Sequence, residues 1–293
     1  MNVANPSEPF LMWAYRGYLL LFFLYLAAPL AAASIFAFND SLFPSPPWQG
    51  FTLAWFFGDT EPKIGMFHDR RLMRGLQNSL FIGVIVTSLS VAVGTCNAFL
   101  FERKVFPGKS LLYVLMIIPL VIPGVILGIS ILVFASSIAN NVEEAWGFDW
   151  SLLRPGLFLV IMGQFSFLTT IATLVIAARL RKFDIAMEEA ALNLGASHAR
   201  VLATVTLPFL KPALIAALLV GFLVSFENFN TTLMLVGSDA PLTITMYDRI
   251  AKVGSTPVLN AVSFFLIISS GTLALISVIV QRDKKQAPPS PGS

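Results

Sequence analysis

One carboxylate interrupts an apolar run in "LVSFENFNTTLML": Glu227, followed by Asn228, Asn230, Thr231 and Thr232. A carboxylate near the centre of a bilayer costs at least about 2.5 kcal/mol on insertion scales, so Glu227 must face protein or water. The chemistry open to it is electrostatic: it can attract a cation or an amine, with the neighbouring amides and hydroxyls as hydrogen-bond partners. On a continuous helix, residues 227, 230 and 231 share one face, and 228 and 232 share another. An interhelical hydrogen-bond cluster that braces the bundle is the competing use of such residues. A single amide suffices for bracing, so the set reads as part of a translocation path.

Two further stretches carry polar or irregular character at membrane depth. In "IIPLVIPGVILG", Pro119 and Pro123 each remove a backbone donor and should kink a helix. Broken helices at that depth usually line a cavity, because the freed carbonyls need partners. The run after Leu157 offers Gln164, Ser166, Thr169 and Thr170, although hydroxyls in spans also serve as packing groups.

Catalytic constellations are missing from the sequence. His68 and His198 fall in loops on opposite sides of the membrane and have no Cys at ligand spacing, so no metal site is expected. "RKVFPGKS" ends like a phosphate loop, but Arg103 occupies the place of the first glycine in G-x-x-x-x-G-K-[ST]. No serine nucleophile elbow is present. The chain is therefore expected to be no enzyme and to hold no cofactor itself.

Composition says what positions these residues. Hydrophobic types make up 56% of the 293 residues and charged types only 12%, about half the charged share of a soluble domain. The expected fold class is all-α, a polytopic membrane protein with six transmembrane helices. The spans read as Gly17–Phe38, Leu76–Leu100, Leu111–Ala135, Leu157–Ala178, Ala213–Val236 and Val258–Val280. The first contains an A-x-A pattern at Ala31 and Ala33, but its apolar run exceeds that of a signal peptide, so it reads as a retained helix. With both termini inside, Arg16, Arg103, Lys104, Lys109, Arg179, Arg181, Lys182, Arg200, Lys211, Arg282, Lys284 and Lys285 are cytoplasmic. Lys63, Arg70, Arg71, Arg74, Arg154, Arg249 and Lys252 then lie outside, and the inside excess agrees with the positive-inside rule. The single Cys96 says nothing about compartment, and a net charge of +3 requires no nucleic-acid partner. The whole chain, 1–293, reads as one transmembrane domain with a cytoplasmic loop at 179–211 and a disordered Pro-rich tail at 281–293.

The loop at 179–211 contains "EEAALNLGASHARVLATVTLPFL". Asp184 can cap a short helix over Ile185–Leu194, and Gly195 can end it in the left-handed conformation. Ser197 can cap a second helix, expected to finish near Leu207 because Pro208 and Pro212 follow. The product is a rigid protrusion from the membrane face, or alternatively an amphipathic segment resting on lipid headgroups.

Glu189, Ala190, Ala191 and Gly195, followed after nine residues by Val205, Thr206, Leu207 and Pro208, resemble the EAA signature of binding-protein-dependent ABC importer permeases. The order of "FTLAWFFGD", "LQNSL", "IPLVIPG", the EAA loop and "SFENFNTT" is similar to the spermidine/putrescine-type permeases over roughly residues 48–250, which implies a MetI-like fold. That resemblance implies that Glu188, Glu189, Ala190, Ala191, Gly195, Ala196, Leu207 and Pro208 couple the chain to a separate ATPase subunit dimer, which binds ATP and Mg. It also implies a second permease subunit of different sequence, an extracytoplasmic solute-binding protein and residence in a bacterial inner membrane. Many such permeases carry an acid after the second proline of span three and two adjacent acids in span five. This chain has Gly124 and Asn228 there and keeps Glu227. The pathway set is thus Glu227, Asn228, Asn230, Thr231, Pro123, Gly124, Gln164, Ser166 and Thr169. A lone carboxylate suits a monocation or the amine of a zwitterion, so the expected solute is a polyamine or another small amine-bearing molecule. The rival reading is an ion-coupled secondary carrier with Glu227 as its cation site, although no inverted repeat is evident.

Overall fold

The computed structural model describes residues 9–282, with side chains from Leu11 to Ile276. Its helices are α1 Pro9–Phe36, α2 Ala54–Phe57, α3 Arg70–Arg103, α4 Lys109–Val121, α5 Gly124–Trp146, α6 Leu157–Leu180, α7 Ala186–Asn193, α8 His198–Val201, α9 Leu207–Glu227, α10 Asn230–Leu235, α11 Leu242–Val253 and α12 Pro257–Arg282. A small antiparallel hairpin, β1 Asp59–Thr60 with β2 Lys63–Ile64, is the only named sheet among the described residues. Among the described residues, six stretches are long and apolar enough to cross a bilayer: Leu11–Phe36, Arg70–Arg103, Gly124–Trp146, Leu157–Leu180, His198–Glu227 and Pro257–Ile276. The expected tail falls almost entirely outside the described residues.

Six spans were expected and six are found, but three details differ. The expected third span, Leu111–Ala135, is not one kinked helix. Helix α4 stops at Val121, Ile122 is extended with ψ 133°, and α5 begins at Gly124. The ring of Pro123 disfavours a helical conformation at the residue before it, so Ile122 leaves the helix. Pro119, in contrast, is accommodated within α4. The crossing helix is consequently α5, which runs on to Trp146.

The expected fifth span, Ala213–Val236, is also interrupted. Helix α9 ends at Glu227, Asn228 turns extended with ψ 114°, and α10 restarts at Asn230. The side-chain oxygen of Asn228 accepts from the Thr232 amide (3.3 Å) and hydroxyl (2.9 Å), an interaction that competes with a continuous backbone ladder. The shared faces expected of one helix from 227 to 232 therefore do not exist.

The third difference lies at the start of the expected fifth span. The helix capped by Ser197 does not finish near Leu207 but continues into the membrane through a π-turn at Leu202–Thr206. There the Leu207 amide donates to the Leu202 carbonyl, five residues back. The widened turn takes up the ring of Pro208, which cannot donate to residue 204, without ending the helix.

The chain divides into two compact units. One comprises residues up to Arg70 together with Arg249–Ser269. Within it, buried Asn39 accepts from the Gln49 amide (2.8 Å) through its side chain and from the Trp55 indole (2.9 Å) through its carbonyl. Phe38, Phe56 and Phe264 pack with ring centroids 5.0 to 5.9 Å apart, and the ion pairs Lys63–Asp40 and Arg249–Asp69 tie its loops.

The second unit comprises Arg71–Asp248 and the chain from Ser270 onward. Helix α6 is the most enclosed of the spans, with more than half of its apolar stretch buried. Its first half packs Val160, Phe167 and Leu168 against Ile82 and Val86 of α3, Ala135 of α5 and Leu235 of α10. Its second half packs Ala172 and Ile176 against Val91 and Ala98 of α3 and Leu210 and Ala217 of α9. Lipid is as apolar as these side chains, so close approach and interhelical hydrogen bonds, more than burial, favour association. Gly94 shows how tight the approach is: a Cβ there would lie 2.8 Å from the Cβ of Ala172 and 2.9 Å from the Thr173 amide nitrogen.

Candidate pathway and coupling sites

The two helix breaks meet. A Cβ on Gly124 would lie 2.9 Å from Thr231 Oγ1 and 3.1 Å from the Cβ of Asn230, which places the start of α5 directly against α10. Pro123, Gly124, Glu227, Asn228, Asn230 and Thr231 thus gather in one region. Glu227 and Asn230 are exposed, Asn228 is half-buried and Thr231 is buried.

Behind the break runs a hydrogen-bonded chain with one direction. The Ser225 hydroxyl donates to Gln164 Oε1 (2.5 Å), and Gln164 Nε2 donates to Thr232 Oγ1 (2.9 Å). The Thr232 hydroxyl in turn donates to Asn228 Oδ1. The Thr232 backbone amide can only donate, so it fixes which end of the Asn228 amide faces inward. The Asn228 NH2 group is the end left over, next in sequence to the exposed carboxylate of Glu227. The region therefore offers the negative acceptor of Glu227, the neutral donor of Asn228 and the exposed amide of Asn230.

The remaining pathway candidates are placed elsewhere. Ser166 returns its hydroxyl to the Gly163 carbonyl (2.7 Å), and Thr169 returns its own to Phe165 (2.7 Å) with a longer contact to Ser90 Oγ (3.5 Å). Gln164 is 1% exposed and both ends of its amide are engaged between helices. Sequence reasoning did not single out Ser225; its place three residues before Asn228 on the same run was the available signal.

At the other end, the candidate coupling segment at 184–200 takes the expected local form. Asp184 Oδ1 accepts from the Ala186 amide (3.0 Å), Gly195 has φ +86°, and Ser197 Oγ accepts from the Arg200 amide (3.4 Å). The turn closes with the Ala196 amide donating to Ala191 (3.1 Å). Glu189, Ala190 and Pro208 are exposed, Ala191, Ala196 and Leu207 are half-buried, and Leu194 presents 90% of its surface. Glu188 points the other way, toward Thr206 (2.6 Å) and Arg103 (3.2 Å). Nearby, Arg181 pairs with Glu102 at 2.8 Å, and that hydrogen bond raises the guanidinium pKa above its ordinary value. Arg103 and Thr206 had no assigned role from sequence, because their use depends on helices distant in the chain.

Residues 90–283 match the family described as binding-protein-dependent transport system inner membrane component. The chain belongs to that family. It is an ABC importer permease and a multi-pass membrane protein, and the ion-coupled carrier reading is not favoured. Among its relatives, the spermidine/putrescine transport system permease protein PotC of Escherichia coli strain K12 is 27% identical over 92% of this chain and 94% of its own. The putrescine transport system permease protein PotI of the same strain is 28% identical over 92% and 91%. The molybdenum transport system permease protein ModB of Haemophilus influenzae is 33% identical over 68% and 91%. In fold, the permease matches a chain of a bacterial ABC transporter involved in the import of the acidic polysaccharide alginate, with TM-score 0.72 and 18% identity over 95% and 97% of the two chains. The names of these relatives span cargoes of opposite charge, so the permease fold does not by itself choose the solute.

Proposed function

We propose that this permease forms one half of a pathway for a small amine-bearing solute and is driven by a separate ATPase docked on the α7–Gly195–α8 corner. The observation that carries the solute class is the exposed carboxylate of Glu227 at the meeting of two helix breaks. A carboxylate in that position attracts an ammonium group, and the adjacent Asn228 NH2 suits an acceptor on the same solute. The PotC and PotI relatives support a polyamine, whereas the donor at Asn228 favours an amine that also carries a hydroxyl or carboxylate.

In this reading both termini lie in the cytoplasm, ATP and Mg bind only to the ATPase dimer, and a second, different permease completes the pathway. An extracytoplasmic binding protein delivers the solute. Closure of the ATPases displaces the two coupling corners, and the pathway changes the side to which it opens. The rest of the coupling surface, Glu189, Ala190 and Leu194, is exposed as docking requires.

The test is reconstitution of the permease with the subunits it copurifies with, followed by uptake of putrescine and of an amino acid of similar length. Uptake of either that depends on ATP and saturates supports an amine-bearing solute. Uptake of neither, in vesicles that do import an anion such as molybdate, overturns it.

A further inference from the structure

Glu188 lies beside the proposed docking surface, yet its carboxylate is turned away from it. Glu188 Oε1 accepts from the Thr206 hydroxyl at 2.6 Å and from Arg103 Nη2 at 3.2 Å. These partners belong to three different elements. Glu188 is on α7, Thr206 is the last residue of the π-turn that feeds α9, and Arg103 is the last residue of α3. Thr206 is 1% exposed, and the side chains of Arg103 and Glu188 are 19% and 24% exposed. Arg103 is held from its other side by the face of Phe183, 5.3 Å from the ring centroid, and Phe183 meets Phe209 of α9 at 5.0 Å.

Along the backbone, α7 reaches α9 through two compliant points in series. Gly195 sits in the left-handed region with open space around it, and the π-turn has wider, weaker geometry than an α-helix. A push on α7 alone could be absorbed at either point. The Glu188–Thr206 hydrogen bond bypasses both, because it joins α7 directly to the start of the helix that ends at Glu227. The Arg103 contact adds α3 to the same rigid group. A partly buried, charge-assisted pair of this kind is strong enough to act as such a link.

We infer that Glu188 is a positioning residue that makes the coupling helix move as one body with α9 and α3, and so carries displacement from the ATPase to the break at residues 227–229. This rests on the reading that the α7–Gly195–α8 corner receives the ATPase. Glu189, the neighbouring acid, is exposed and takes no part in the link.

The experiment is hydrogen exchange by mass spectrometry on the complete complex, with and without ATP and vanadate, read at residues 185–197 and at 226–232. In the parent complex, nucleotide trapping changes exchange in both segments. In Glu188→Ala the change at 185–197 persists, while the change at 226–232 falls by about tenfold, the scale of one lost charge-assisted hydrogen bond. Thr206→Val, which removes only the hydroxyl donor, shows the same split to a smaller degree. Glu188→Gln, which keeps an oxygen able to accept from the Thr206 hydroxyl, retains most of the response at 226–232. An undiminished response at 226–232 in Glu188→Ala and in Thr206→Val overturns the inference. Loss of the response at both segments in both variants also overturns it, because Glu188 then serves only folding or docking. A parent complex that holds no ATPase at 185–197 counts instead against the docking reading itself.

Discussion

At the scale of single residues, the region around the two breaks separates exposed charge from buried polar structure. Glu227 is exposed, whereas Gln164, Ser225 and Thr232 satisfy one another in the interior. Glu227→Gln keeps the shape and removes the charge. Uptake by the Gln variant is expected to fall by about tenfold or more, with complex assembly and binding-protein affinity unchanged, on the scale of a hydrogen bond to a charged group. Undiminished uptake in vesicles would remove the electrostatic role. Gln164→Leu acts on stability instead. It leaves the Ser225 hydroxyl without its acceptor and releases the chain that orients Asn228, so it should destabilise the permease by about 1–2 kcal/mol. The thermal midpoint of the purified complex measures this, and an unchanged midpoint would show that the buried chain contributes nothing.

At the scale of elements, two glycines serve different ends. Gly195 needs its backbone conformation, since φ is +86° and a Cβ would meet nothing within 4 Å. Gly195→Val should therefore cost about 1–2 kcal/mol through the backbone alone and misdirect the corner between α7 and α8. Gly195→Asn, which tolerates the left-handed region, should retain the ATPase on copurification where the Val variant loses it. Equal recovery with both would reject the corner as the docking element. Gly124 needs space instead, because a side chain there would press on Thr231 and Asn230. Gly124→Asp is expected to lower the thermal midpoint by the equivalent of about 1–3 kcal/mol, as overpacking does.

At the scale of the whole molecule, the exposed Glu227 bears on the proposal that a second permease completes the pathway. An unpaired carboxylate facing lipid carries a cost of at least about 2.5 kcal/mol, whereas one facing a watered pathway between two permeases does not. The sign of a substitution should therefore reverse with assembly. In the permease expressed without its partner, Glu227→Leu is expected to raise resistance to thermal unfolding. In the complete complex the same change should reduce uptake. Measuring both in matched lipid decides the matter, since a loss of stability in the lone chain would place Glu227 in a structural role.

Membrane insertion, the number of spans and the cap–glycine–cap form of the α7–Gly195–α8 corner were all readable in the sequence. Each depends on local composition or on residues a few positions apart: apolar runs of bilayer length, Asp184 before α7, Gly195 after it and Ser197 before α8. The breaks at 122–123 and 228–229, the continuation of α8 into α9 and the inward turn of Glu188 were decided by the tertiary structure. A proline can either kink or end a helix, and Pro119 and Pro123 took different outcomes within the same run. An asparagine can either continue a helix or cap the next one. Asn228 ends α9 and accepts from Thr232, and its amide is oriented through Thr232 by Gln164, which lies 68 positions before Thr232 in the sequence. Such competition between backbone and side-chain partners is settled only when helices distant in the chain come within hydrogen-bonding reach.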